Sequence, residues 1–111
     1  MYDKAVQEER SVIVHCSYYS PLGEMIRIWN STHLVEESTG SRSKLLEALG
    51  ITFFPVWMKV PAGTTARFTL FFAPLPGSCE FFNLFEDIPE AGGFEAKDIK
   101  RNKNDVYYVN L

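Results

Sequence analysis

Cysteine occurs only twice in this chain of 111 residues, as Cys16 and Cys79, which excludes a fold stapled by several disulfides. Histidine is equally scarce, with His15 and His33 alone. A zinc centre wants three or four ligands converging on one point, usually at C-x-x-C or H-x-x-x-H spacing, and none of that spacing is present. His15 and Cys16 are also neighbours on one extended stretch, where adjacent side chains point to opposite faces. A Cys-His nucleophile lacks a third residue to orient it, so the expectation is no catalytic residue, no metal and no cofactor. Long apolar runs are missing too. No stretch approaches the roughly 18 apolar residues of a membrane span, and Met1 to Arg10 has no apolar core of the secretory-signal kind. Positive charge is not in excess: the net charge is -3 and the pI about 5.3, which gives no electrostatic reason to expect a nucleic-acid partner. Lys97 to Lys103 (KDIKRNK) is the most basic stretch and reads as a solvated turn.

What the chain does contain is strand material. Aromatic residues make up 14%, a proportion that leans toward an all-β core. Ser11 to Tyr19 (SVIVHCSYY) alternates, with Val12, Val14, Cys16 and Tyr18 on one face, and reads as a central strand. Glu24 to Asn30 (EMIRIWN) follows after a turn made by Ser20, Pro21 and Gly23, with Ile26 and Ile28 inward and Arg27 and Trp29 on the other face. Ala66 to Glu86 (ARFTLFFAPLPGSCEFFNLFE) reads as a hairpin. Its first arm puts Phe68, Leu70 and Phe72 on one face, its second puts Phe82 and Leu84 on one face, and Pro74, Pro76 and Gly77 break the chain between them. Phe71, Phe81 and Phe85 then point outward.

Two segments are ambiguous. SKLLEALG supports either a strand or one helical turn capped by Ser43 and stopped by Gly50, with Leu45, Leu46 and Leu49 on one side. ITFFPVWMKV is strongly apolar, but Pro55 removes a ladder hydrogen bond and places it at an edge or bulge. Residues 1 to 10 suit a frayed tail or a short edge strand. Short strands of this kind, seven to nine of them with at most one helical turn, predict a single domain over 1–111, an antiparallel β-sandwich with a small barrel as the alternative. No parallel βαβ unit is present, which excludes a doubly wound nucleotide fold.

The chemistry-bearing residues divide into three groups. Trp29 follows Cys16 by 13 residues and Cys79 comes later, an order similar to the Cys, Trp and Cys of immunoglobulin domains. Gly77 stands where the corner tyrosine belongs, two residues before Cys79, and free thiols are the default. Glu86, Asp87 and Glu90 place three carboxylates in EDIPE without the D-x-D-x-D-G pattern of a calcium loop; a solvated loop is the ordinary reading and paired-carboxylate hydrolysis the other. The aromatic residues either fill the core or, where they face outward, offer a rigid apolar surface to a protein or a glycan. Trp29, Arg27, Trp57, Phe71, Phe81 and Phe85 form the candidate binding surface, with Arg27 placed to stack on Trp29.

From Ile26 onward, IRIWNSTHLVEESTG, KLLEALGI, VPAGTTARFTLFFAPLP, FFNLFE and GGFEAKDI follow one another in an order that resembles small all-β accessory domains of exported proteins and lipoproteins of Bacteroidetes-type bacteria. The resemblance covers about two thirds of the chain and is built from turn and core residues. It implies an immunoglobulin-like sandwich, a periplasmic or cell-surface location with the signal lying outside this chain, and no catalytic residues. The expected function is a non-catalytic interaction or spacer module. A carbohydrate-binding domain and, behind it, a small hydrolase using the EDIPE carboxylates are the alternatives.

Overall fold

A computed structural model describes residues 10–111, so the expectation for residues 1–9 lies outside the described residues. Among those described, the chain forms nine strands and no helix: β1 (Val12–Ser20), β2 (Glu24–Ile26), β3 (His33–Glu36), β4 (Arg42–Leu49), β5 (Met58–Val60), β6 (Thr64–Phe72), β7 (Phe81–Phe85), β8 (Glu95–Lys100) and β9 (Val106–Asn110). Seven of them make one sheet in the order β8-β7-β3-β4-β6-β1-β9, while β2 and β5 form a small sheet of their own. No helix among the described residues is long and apolar enough to cross a membrane.

The fold is all-β, with two corrections to the sequence expectation. The large sheet is mixed rather than antiparallel, because β9 runs parallel to β1, with Ile13 opposite Val106 and Ser17 opposite Asn110. Turn residues report reversals between consecutive strands and carry no information about how the first strand meets the last. The second correction concerns Ala66 to Glu86. Both arms exist as β6 and β7, but they do not pair; β3 and β4 lie between them. The APLPGSCE segment is a docked crossover instead of a tight turn. Leu75 and Cys79 are buried in the core, Ala73 N–H donates to the Lys44 carbonyl at 2.9 Å, and Ser43 Oγ donates to the Pro74 carbonyl at 3.0 Å.

The ambiguous SKLLEALG segment is strand β4, and it turns the corner of the fold. Arg42 to Lys44 pairs with β3, Leu45 to Leu49 pairs with β6, and the register slips between Leu45 and Glu47, leaving Leu46 as the extra residue of a bulge. Bulges bend strands and let one strand belong to two half-sheets. A helix of eight residues has little stability of its own, whereas the extended form gains ladders on both sides. The small sheet is shorter than predicted: β2 stops at Ile26, and Ile28 bridges to Phe53 beside the cis Phe54–Pro55 bond.

The core sits between the two halves of the curled sheet. Val12, Val14 and Cys16 of β1, Phe68, Leu70 and Phe72 of β6, and Phe82 and Leu84 of β7 are all buried, as their period-two spacing predicts. Phe82 meets Tyr107 of β9 edge-to-face with ring centroids 4.9 Å apart, although β7 and β9 stand far apart in strand order. That contact brings the sheet close to a barrel. Both thiols are free and buried, and burial pushes Cys16 up to about 12.

Candidate binding cleft

The cleft is built on Glu86, the residue immediately after β7. It is buried, and both its carboxylate oxygens accept backbone amides: Oε2 from Trp29 at 2.9 Å and Oε1 from Phe94 at 3.0 Å. Glu86 N–H also donates to the Phe94 carbonyl at 2.9 Å, which folds residues 87–93 into a closed loop. Gly93 is required there, because a Cβ at that position would lie 2.6 Å from the Glu86 carbonyl oxygen. Burial raises the Glu86 carboxyl above its ordinary range, against the pull of the two amides.

This clamp sets Trp29 and the Glu86–Phe94 loop around the end of β2. Arg27 projects between them and is enclosed by rings. Its guanidinium carbon lies 3.8 Å from the Trp57 centroid, 4.6 Å from Phe54 and 5.7 Å from Trp29. Trp29 and Phe54 themselves stack at 3.9 Å. Arg27 Nη2 donates to Glu90 Oε1 at 3.1 Å and Nη1 to the Pro55 carbonyl at 3.3 Å. The Arg27 side chain is only 12% exposed while that of Glu90 is 46% exposed. A half-exposed ion pair is worth under about 1 kcal/mol, whereas a desolvated cation–π contact reaches about 2 kcal/mol, so the rings hold Arg27 more firmly than Glu90 does.

Around these groups lies an open cleft of about 410 Å³. Its walls include Tyr18 of β1, Glu24 and Met25 of β2, Trp57, the Glu86–Phe94 loop and Glu95 at the start of β8. Tyr18 Oη donates to Glu24 Oε1 at 2.7 Å, and this bond, with some desolvation, raises the phenol. No family model, curated protein or solved structure matches this chain.

The six candidate surface residues separate into three places. Arg27, Trp29 and Trp57 converge on the cleft, with Trp57 half-exposed and Trp29 partly covered by Phe54. Phe81 and Phe85 share one exposed face of β7, and Phe71 is partly buried on β6, opposite Ile13 and Glu47. β3 and β4 lie between Phe71 and the other two, and none of the three phenylalanines lines the cleft. Sequence reasoning missed Phe54, whose only signal was its place beside Pro55. It also missed Glu24 and Glu95, exposed strand residues that become cleft walls only through folding.

Of the EDIPE carboxylates, Glu86 is the clamp, Glu90 caps Arg27 and Asp87 offers its carbonyl to Ser31 Oγ at 2.8 Å. Among the described residues no three histidine, cysteine or carboxylate side chains gather as a metal site. His15 and His33 stand on β1 and β3, with β4 and β6 between them; His15 Nδ1 bonds Thr69 Oγ1 and His33 Nδ1 donates to the Ser31 carbonyl, each at 2.8 Å.

Proposed function

We propose that the chain is a non-catalytic interaction module that reads its partner in the Arg27–Trp57 cleft. The observation that carries this reading is the half-exposed Trp57 ring, braced by the Arg27 guanidinium at 3.8 Å beside an open cleft. A large ring already held in place gains contact area on binding and loses little conformational freedom. Against an enzyme, the most buried carboxylate of the cleft has both oxygens committed to backbone amides, so using it to shuttle a proton would loosen the loop it fastens. The immunoglobulin-like layering belongs to this reading, supported by two half-sheets joined through the β4 bulge. Placement in an exported protein rests on the sequence resemblance.

Binding is tested by tryptophan fluorescence and calorimetry against neutral oligosaccharides and against acidic, neutral and basic peptides. At least one class is expected to bind the native protein, and Trp57→Ala should weaken it by about tenfold or more, the size typical of a central aromatic contact. Binding of no class, or binding indifferent to Trp57→Ala in a variant with an unchanged melting curve, overturns the proposal. A glycan ligand is the second reading, favoured by the same exposed ring set among carboxylates that can accept hydroxyl protons.

A further inference from the structure

The cleft is chemically one-sided. Glu24, Glu86, Glu90 and Glu95 line it, and Arg27 is the single basic side chain among its lining residues. Arg27 is already engaged: Nη2 is paired with Glu90, Nη1 with the Pro55 carbonyl, three rings surround the guanidinium, and its one unpartnered donor, Nε, is buried. Glu86 is spent on the amides of Trp29 and Phe94. Two carboxylates remain without a firmly held counter-charge. Glu24, on β2, accepts a hydrogen bond from the neutral Tyr18 hydroxyl through Oε1. Glu95, on β8, has Lys97 3.7 Å away, but the two side chains are 47% and 67% exposed, and a pair of that kind contributes little.

From this arrangement we infer that the cleft receives a cationic side chain, an arginine or lysine of an extended basic peptide segment, with the half-exposed Trp57 ring, on the side not taken by Arg27, as its platform and Glu24 and Glu95 as its counter-charges. The inference rests on the cleft being the recognition surface and adds the chemical class of ligand. Arg27 supplies the precedent within the molecule: a guanidinium lies 3.8 Å from the centre of the same indole and a glutamate caps it. A cation over an indole is attracted by the negative ring face, and carboxylates nearby add to that attraction in a partly dry site. An anionic ligand would face four glutamates and one cation already engaged. A neutral sugar would use the ring and leave the charge of Glu24 and Glu95 without a role.

The probes are capped octapeptides of alternating glycine and arginine, glycine and lysine, or glycine and glutamate, together with a set of neutral oligosaccharides, followed by calorimetry and tryptophan fluorescence. The arginine and lysine peptides should bind and the glutamate peptide should not. Glu24→Gln and Glu95→Gln should each weaken binding about two- to fivefold, the range of a partly exposed charge pair, with the double variant near the product of the two. Raising the salt should weaken the native protein more than the double variant. Both side chains are exposed, so melting curves of these variants should match the native one. Absence of binding by the basic peptides, or binding unchanged in the double variant, overturns the inference. If an oligosaccharide binds and is lost in Trp57→Ala but not in the double variant, the cationic ligand is overturned while the cleft stands as the recognition surface. If nothing that binds responds to Trp57→Ala, both fail.

Discussion

At the scale of single residues, Glu86 joins β7, the Trp29 turn and the start of β8, because a buried carboxylate with two free acceptor oxygens is the simplest partner for two otherwise unpaired amides. Its titration should be visible in stability. Burial holds the native carboxyl above its usual value of 4.5, so the native state binds the proton more tightly than the unfolded chain. The stability this group contributes is therefore fully present below the unfolded value and is lost as the pH rises through 4.5 toward the raised native value. Glu86→Gln removes the titration and, by turning one acceptor into a donor, leaves an amide unsatisfied at a cost of about 1–3 kcal/mol. In urea titrations across pH 4 to 7, roughly spanning that range, the native protein's advantage over Glu86→Gln should shrink with rising pH and then level. An advantage that grows with pH would mean that the amide bonds outweigh burial. Gly93 carries a steric requirement at the same place: Gly93→Ala drives a methyl into the Glu86 carbonyl and should cost about 1–3 kcal/mol of stability, read as a lower urea midpoint. The loop should also lose its hold on Phe94, read as faster amide exchange there.

Among the elements, β4 shows what the sequence carries and where it stops. The period-two spacing in β1, β6 and β7 is enough to name Val12, Val14, Phe68, Leu70, Phe72, Phe82 and Leu84 as core, and all are buried. Pairing was not legible, because a strand's own alternation is the same whichever neighbour it meets. For that reason β6 and β7 were identifiable as strands but not as strands kept apart by β3 and β4. In β4 the bulge breaks the alternation, placing Leu45 inside and Leu46 and Leu49 half-exposed, a pattern that imitates a helical repeat. The corner therefore gives a clean contrast. Leu45→Ala should cost about 2–4 kcal/mol by leaving a cavity, whereas Leu46→Lys, at the exposed bulge, should stay within about 0.5 kcal/mol in the same denaturation assay. The binding cleft was half legible: Arg27, Trp29 and Trp57 are polar or aromatic exceptions in apolar stretches, but Phe54, Glu24 and Glu95 join them only through the three-dimensional path of β2, β8 and the Pro55 loop.

For the whole molecule, the decisive contact is the meeting of Phe82 and Tyr107 across the interior, supported by a polar knot at the β8–β9 turn. Arg101 Nε and Nη2 donate to Asp105 at 2.7 and 3.2 Å, Arg101 Nη1 donates to the Pro76 carbonyl at 2.6 Å, and the Tyr107 hydroxyl donates to Asp105 at 2.9 Å. Phe82→Ala opens the interior at this meeting point and should cost about 3–5 kcal/mol, a large share of the roughly 5–15 kcal/mol that holds a domain together. Loss of near-ultraviolet dichroism at a lower urea concentration than in the native protein would register it. The parallel pairing of β1 with β9 has a further bearing, on the order in which the protein is made. β1 is the first of the nine described strands to be made, yet one of its two ladders waits for β9, the ninth. Until then β1 presents an open edge of alternating apolar residues, the form of strand most prone to pair with another chain. A chain ending at Asn104, which lacks β9, should therefore self-associate more than the 111-residue chain, read as a larger particle by light scattering at equal concentration.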